Sequence, residues 1–208
     1  MRLYVLGAGG HAKVVVSTLL AAGLSVDGLF DDDPQKQGLY LLGVEVVGTI
    51  EDARKRGPAQ GILAIGNNRT RQLLAREFPE WEWLSVVHPR AYVHPSVSLG
   101  SGTVVLAGAV IQPDTNIGAH AIINTGATLD HDCRIGDFVH LAPGVHLAGH
   151  VIIEEGAFIG IGSAVIPKVR VGAWTVVGAG AAVVRDLPPY VTAVGVPAKP
   201  KKTVSKER

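Results

Sequence analysis

From Val87 to Val183 every sixth residue is Val, Leu or Ile, without interruption: Val87, Val93, Leu99, Val105, Ile111 and Ile117 open the series, and Val165, Val171, Val177 and Val183 close it. An α-helix repeats near 3.6 residues and a strand near 2, so neither explains a period of six. A fixed period held this far without insertion marks a stacked repeat. Four residues after most of these aliphatics stands a small or β-branched residue, as at Thr103, Ala109, Thr115, Ala121, Ala127 and Cys133. Glycine often follows the aliphatic directly, as at Gly100, Gly118, Gly136 and Gly160. The pattern predicts a prism with three six-residue sides per coil. Both the aliphatic and the small residue should point inward, and each coil should cover the apolar layer of the last. The glycines are expected at corners where φ is positive.

Residues 1–84 lack this period and read as a separate α/β domain. Leu3–Gly7 reads as a strand and His11–Ala22 as a helix, with strands at Val26–Phe30, Val44–Val47 and Gly61–Ile65. A second helix is expected over Arg69–Phe78, with Arg69, Arg71 and Arg76 on its polar side. Strands alternating with helices predict a parallel sheet. Gly7, Gly9 and Ala12 fit the G-x-G-x-x-G/A loop, whose glycines let backbone amides and a helix N-terminus approach phosphate. Asp31 and Asp32 follow about 20 residues on, where a carboxylate can bind a ribose or base. The domain is about half the length of a full dinucleotide fold, which favours a mononucleotide handle over a whole NAD.

Composition narrows the function. The net charge of +1 argues against nucleic acid as a partner. A single cysteine excludes a disulfide framework and fits a reducing compartment. No apolar run is long enough to span a bilayer and no secretory leader is recognisable, so a cytoplasmic protein is expected. Residues 200–208 form a basic tail, read together with Lys199 as a solvated, frayed terminus.

Five histidines lie on the coils: His120, His131, His140, His146 and His150. By register His131 and Asp132 point outward and Cys133 inward, so the cysteine is a core residue and not a nucleophile. Residues one coil apart lie above one another. This puts Gly149 over His131, with no side chain to cover the imidazole, and His150 over Asp132. An exposed histidine beside a carboxylate with open space above it can act as a general base. A surface histidine among acids is the plainer reading of any one of these residues taken alone.

Several motifs occur together: Gly7-Ala8-Gly9-Gly10-His11, Phe30-Asp31-Asp32, Ile65-Gly66-Asn67-Asn68 with Arg71, Asn124-Thr125 before Asp130-His131-Asp132-Cys133, Ile135-Gly136-Asp137-Phe138 with His140, and Gly195-Val196-Pro197-Ala198-Lys199. In this combination, over residues 2–199, the chain resembles the sialic acid O-acetyltransferase and UDP-4-amino-sugar N-acetyltransferase family of hexapeptide-repeat acyltransferases. The resemblance implies an α/β Rossmann-like half-domain on residues 1–84, followed by a left-handed parallel β-helix over 85–199. It implies a homotrimer with active sites between neighbouring helices, and acetyl-CoA as co-substrate without a metal. His131 matches the family's general base and Asp132 the acid that orients it, although several members have Glu there. His140 matches a coenzyme contact, and the backbone at Gly149, Ile161 and Ala179 matches the coenzyme slot. Gly10, His11, Asp31, Asp32 and Gly66 match positions that hold the nucleotide-sugar.

The expected reaction is direct transfer of acetyl to the amino group of a nucleotide-linked amino sugar. O-acetylation of sialic acid or a related sugar is the alternative. Remoter readings are a metalloenzyme similar to the γ-class carbonic anhydrases, an NAD-dependent oxidoreductase, and a trimeric nucleotide-sugar-binding scaffold that has lost catalysis.

Overall fold

The computed structural model describes residues 1–203. Its N-terminal part is built from β1 (Leu3–Leu6), α1 (Gly10–Ala21), β2 (Gly28–Phe30), β3 (Tyr40–Leu41), β4 (Val44–Gly48), α2 (Ile50–Arg54), β5 (Gln60–Leu63), α3 (Asn68–Glu77) and β6 (Glu82–Trp83). The sheet order is β3-β4-β2-β1-β5-β6. Neighbours are parallel except for the β3–β4 hairpin. The sequence pattern misses β3 and β6, each two residues long, because a period cannot be read from two positions.

Beyond β6 come seventeen two-residue strands, and each ends on one aliphatic of the six-residue series, from Val86–Val87 to Ala182–Val183. Each pairs in parallel with the strand one coil on, Val104 with Val86 and Ile122 in turn. Three flat sheets result, and the chain winds as a left-handed parallel β-helix. The series aliphatics from Val105 to Val183 and the small residues between them make one continuous buried column. Cys133 is fully buried in it, and burial pushes its thiol up to about 11, so it cannot supply a thiolate near neutrality.

The corners differ from the expectation. Positive φ occurs three residues after the aliphatic, at Gly102, Gly108, Gly126 and Gly144, and also at Asp114, His120, Asp132, Phe138 and His150. The glycines directly after the aliphatic serve another purpose. A Cβ on Gly100 would lie 2.4 Å from the amide nitrogen of Ala119, and one on Gly136 2.6 Å from that of Glu155. They are small because the next coil passes too close for a side chain.

The two parts share a core: Val86, Val104, Leu106 and Ile122 pack with Val5, Val15, Leu19 and Ile62. Arg71, expected on the polar side of α3, is 1% exposed. Its guanidinium donates to the carbonyls of His120 (2.9 Å) and Phe138 (2.8 Å) on the coils and to that of Ile65 (2.9 Å) in its own domain. The Asn68 side chain donates to the carbonyl of Gly156 (3.0 Å), and Arg69 lies over the Trp174 ring at 3.5 Å. α3 is therefore a clasp across the two parts. A count of polar residues along one helix cannot show that its partner is a row of coil carbonyls.

The frayed terminus is also corrected. Lys199–Thr203 is a strand, antiparallel to Val191–Val194, which itself extends one face of the β-helix. The remainder of the basic tail, 204–208, lies outside the described residues.

Candidate active site

The turn Asp130-His131-Asp132 joins strand Thr128–Leu129 to strand Arg134–Ile135. Buried polar residues beneath it fix its position. Thr115 points inward and donates from Oγ1 to the carbonyl of Asp130 at 3.0 Å. Cys133 does the same to the carbonyl of Ala148, at 3.3 Å. These two contacts anchor the residues just before His131 and Gly149. Asp132 adopts φ +60, a left-handed conformation that aspartate tolerates better than most residues.

That backbone brings the Asp132 carboxylate back onto its neighbour: Oδ2 lies 2.7 Å from His131 Nδ1. The Asp130 carboxylate accepts from the His131 amide at 2.8 Å. The hydrogen bond to Asp132 raises the His131 pKa above its ordinary value, with Asp130 adding to it, and the same bond lowers that of Asp132. With Nδ1 carrying the proton toward Asp132, Nε2 is left with a free lone pair. The ring is half exposed. Its Nε2 edge lies against Gly149, where a Cβ would stand 2.7 Å from Nε2 and from Cε1. His150 Nε2 lies 3.7 Å from the same Asp132 oxygen.

His131, Asp132 and His150 offer ligand atoms within 4.8 Å of one another, the one group among the described residues with metal-ligand spacing. The geometry is that of a hydrogen-bonded pair: Asp132 Oδ2 is already held by His131 Nδ1.

His140 is elsewhere. It lies nine positions on, half a coil away, in strand His140–Leu141 on the face that packs against the N-terminal domain, and it is 8% exposed. It points out of the coil, as its register requires, but into the other domain and not into solvent. Nδ1 is 3.3 Å from the carbonyl of Gly66, and Nε2 is 3.1 Å from the Asn124 amide nitrogen. Burial first, then the charge of Arg71 and proximity to His11, push its pKa down to about 3. It is thus a neutral imidazole with both nitrogens engaged. The His11 ring, at the N-terminus of α1, is 6.1 Å away. Burial and Arg71 hold His11 near 4. Its buried Nε2 has no hydrogen-bond partner among the described residues.

The Gly-rich loop separates into two roles. Gly7 has φ +105, and a Cβ there would meet Ile65 at 2.7 Å, so it is required by the turn. Gly10 and Gly66 face open space. Asp31 is turned inward: it accepts from the Ala8 amide (2.7 Å), the Asp33 amide (3.0 Å) and Lys36 Nζ (3.1 Å). Although burial opposes it, these donors hold its carboxyl below the usual range. Asp32 accepts from the Ile50 amide at 2.9 Å, capping α2. Both acids already brace the protein. Beside them is a cleft of about 350 Å³ lined by Ala8, Lys13, Lys36, the hairpin Leu39–Leu42 and Val46. Lys13, Lys36 and the hairpin have no motif in the sequence and become visible only through this cleft.

Gly149, Ile161 and Ala179 occupy the same place in their turns, two residues past a strand. Gly149 is on the His131 corner. Ile161 and Ala179 are exposed on the corner that follows the His140 face. One chain therefore makes two separate groups: His131, Asp132, His150 and Gly149 on one corner, and His11, Gly66, Asn124 and His140 at the domain junction.

A β-helix carrying a histidine–carboxylate pair at a corner, joined to a small α/β domain with a Gly-rich turn, defines an acyltransferase of the hexapeptide-repeat class. Comparison with known proteins narrows the class. Residues 2–78 match the PglD N-terminal domain family. PerB from Caulobacter crescentus, solved with CoA and GDP-perosamine, is 48% identical, with 97% of each chain covered and a TM-score of 0.90. The acetyltransferase domain of PglB from Neisseria gonorrhoeae, solved with acetyl coenzyme A, is 38% identical over 96% of this chain and 98% of that one, at a TM-score of 0.91. Curated relatives are matched over a smaller part. The chain is 46% identical to 2,3,4,5-tetrahydropyridine-2,6-dicarboxylate N-acetyltransferase from Brevibacillus brevis over 129 residues, and spans 55% of that protein. The chain belongs to the sugar N-acetyltransferase family of hexapeptide-repeat enzymes that includes PerB and PglB.

Proposed function

We propose that the protein transfers the acetyl group of acetyl-CoA to the amino group of a nucleotide-linked amino sugar, with His131 as general base. The observation that carries this is the His131 Nδ1–Asp132 Oδ2 contact of 2.7 Å, which leaves Nε2 free at a glycine-lined edge. The amine nitrogen attacks the thioester carbonyl carbon. His131 Nε2 takes the proton released as the C–N bond forms. The C–S bond then breaks, and the imidazolium returns the proton to the leaving sulfur. The products are an amide and free CoA, and no acyl-enzyme forms. Asp132 keeps Nδ1 protonated and stabilises the imidazolium. Gly149 admits the reacting groups to Nε2, and backbone at Ile161 and Ala179 lines the coenzyme path.

The nucleotide occupies the loop domain. The amides at the start of α1 and Lys13 and Lys36 meet the diphosphate, and the apolar hairpin meets the base. Gly10 and Gly66 leave room for the ligand, and His11 Nε2, buried without a partner, supplies a hydrogen bond. Asp31 and Asp32 hold this framework in shape and contact the ligand through it. PerB was solved with GDP-perosamine, so a GDP-linked amino sugar stands beside UDP-linked ones as acceptor.

A homotrimer would join the two groups that one chain keeps apart, bringing the His131 corner of one copy to the domain junction of another. The face beside that corner carries Tyr92, Val110, Thr128, His146, Ala164 and Ala182 outward, a row apolar at both ends and polar in the middle. A cytoplasmic site suits a protein that consumes acetyl-CoA.

The test is a panel of GDP-, UDP- and dTDP-linked amino sugars and free sialic acid, each with acetyl-CoA, reading released thiol. Turnover of an amino sugar that falls at least 100-fold in His131→Ala is expected. Turnover of sialic acid alone, or near wild-type kcat in His131→Ala, refutes the assignment.

A further inference from the structure

Three donor atoms converge at the His131 corner from two successive coils. His150 stands one coil above Asp132, and both adopt the left-handed corner conformation, with φ +61 and +60. His131 Nδ1 lies 2.7 Å and His150 Nε2 3.7 Å from the same oxygen, Asp132 Oδ2. One ligand atom from each residue lies within 4.8 Å of the other two. All three side chains are about half exposed, so an ion can reach them from solvent. We propose that these atoms form an inhibitory site for a zinc-class divalent ion, which takes Nδ1 of His131 in place of its proton and so switches off the catalytic imidazole. The metal site stands on this geometry alone, and the inhibition rests on His131 being the base.

The spacing suits a tetrahedral ion. Metal–ligand bonds of about 2.0–2.2 Å set neighbouring donors about 3.3–3.5 Å apart. The observed 2.7 and 3.7 Å bracket that range, and the half-exposed rings can turn to close the rest. Water supplies the fourth ligand. Two imidazoles and one carboxylate suit zinc, nickel or copper, whereas magnesium favours oxygen ligands. Charge at the corner also favours a cation. Asp114 lies one coil below Asp132 and Asp130 is in the same turn, against Lys168 one coil above His150.

The effect on His131 follows from its single ring proton. With Asp132 as partner that proton sits on Nδ1, and Nε2 keeps its lone pair at the Gly149 opening. An ion on Nδ1 uses the lone pair of that nitrogen, so the proton moves to Nε2. One N–H is lost at Nδ1 and one is gained at Nε2. Nε2 is then a donor and accepts no proton from an amine. The ion lies on the side of the ring away from the opening, so both substrates still bind. kcat should fall while both KM values hold.

The test uses the full chain, wild type and His150→Asn, with free zinc fixed by a metal buffer. Asparagine accepts φ near +60, so the backbone tolerates it. Calorimetry with zinc chloride reads binding. Turnover of an amino sugar is read as amide product by chromatography, because the thiol of released CoA would itself bind zinc. Losing a partner outside the ligand shell already costs about 10–100-fold in metal affinity, so His150→Asn should bind zinc at least about tenfold more weakly. In wild type kcat should fall in proportion to zinc occupancy at unchanged KM. The ring resonances of His131 and His150 should move together as zinc is added to wild type, and millimolar magnesium should move neither. Equal zinc affinity in the two proteins, or wild-type ring resonances that stay in place, overturns the site. A rise in KM with kcat unchanged overturns the Nδ1 assignment, because it would put the ion in the Gly149 opening. Zinc bound at a His150-dependent site with kcat unchanged upholds the metal site and removes His131 as the base.

Discussion

Gly149→Ala isolates the reaction geometry from the fold. Gly149 does not adopt positive φ, so alanine meets no backbone strain there. The new methyl would lie 2.7 Å from both His131 Nε2 and Cε1, about 0.7 Å inside ordinary carbon–nitrogen contact. Either the ring turns away or the methyl covers the nitrogen that takes the proton. The ring is half exposed and can turn cheaply, so stability should hold, with the smaller entropy of the unfolded chain worth about 0.4–1 kcal/mol in favour of alanine. Turning breaks the 2.7 Å contact to Asp132. A misplacement of about 1 Å at a reacting group costs on the order of 10²-fold, and a general base contributes about 10²–10⁴-fold. The expected result is kcat lowered about 100-fold, with Tm within about 2 °C of wild type. The assay is thiol release from acetyl-CoA at saturating acceptor, beside a thermal melt. A kcat within threefold of wild type would refute the reasoning, because it would mean that Nε2 works without its glycine.

Asp132→Asn should lower kcat about 10²–10⁴-fold with little change in KM, since an amide nitrogen facing Nδ1 drives the proton onto Nε2; a pH–rate profile on the same variant checks it. Arg71→Met leaves the carbonyls of His120 and Phe138 without donors. It should cost about 3–5 kcal/mol in urea unfolding; a loss under 1 kcal/mol would contradict the clasp. Burial depresses His11 and His120 to about 4 and His140 to about 3. The unfolded chain therefore binds more protons below about pH 6.5. Stability should fall from there toward pH 4, each histidine contributing at most about 1.4 kcal/mol per pH unit, and flatten below the folded values. Denaturant melts across that range on wild type and His140→Asn read the slope, which should be shallower in the variant.

The sequence carried the β-helix almost completely because its period is set by backbone geometry. Two residues per strand and one coil per three strands leave little room for tertiary context to alter the register. The same register put Gly149 over His131 and His150 over Asp132, and both contacts are present. It was silent on partners that the register does not set. Arg71 reads as a solvent-facing cation until the coil carbonyls are beside it. His140 matches a coenzyme contact by motif, and only the structure shows Gly66 and Asn124 engaging both of its nitrogens. Asp31 and Asp32 fit a nucleotide fingerprint by spacing, and the structure adds that amides and Lys36 engage both Asp31 oxygens while the Ile50 amide engages Asp32 Oδ1. Spacing identifies which groups can reach a ligand and says nothing of which are already satisfied.

The two histidine environments are complementary in a way that bears on catalysis. The hydrogen bond to Asp132 makes His131 more basic in the open, whereas burial and Arg71 keep His11 and His140 neutral at the domain junction. Pairs of titratable groups driven apart by their surroundings mark separate roles. A proton removed from an amine needs a base that holds it, which suits the corner. Arg71 is central to that division: its guanidinium fastens α3 to the coils, and the same charge discourages protonation of the histidines around it. The clasp that holds the domains together therefore also sets the electrostatics of the domain junction.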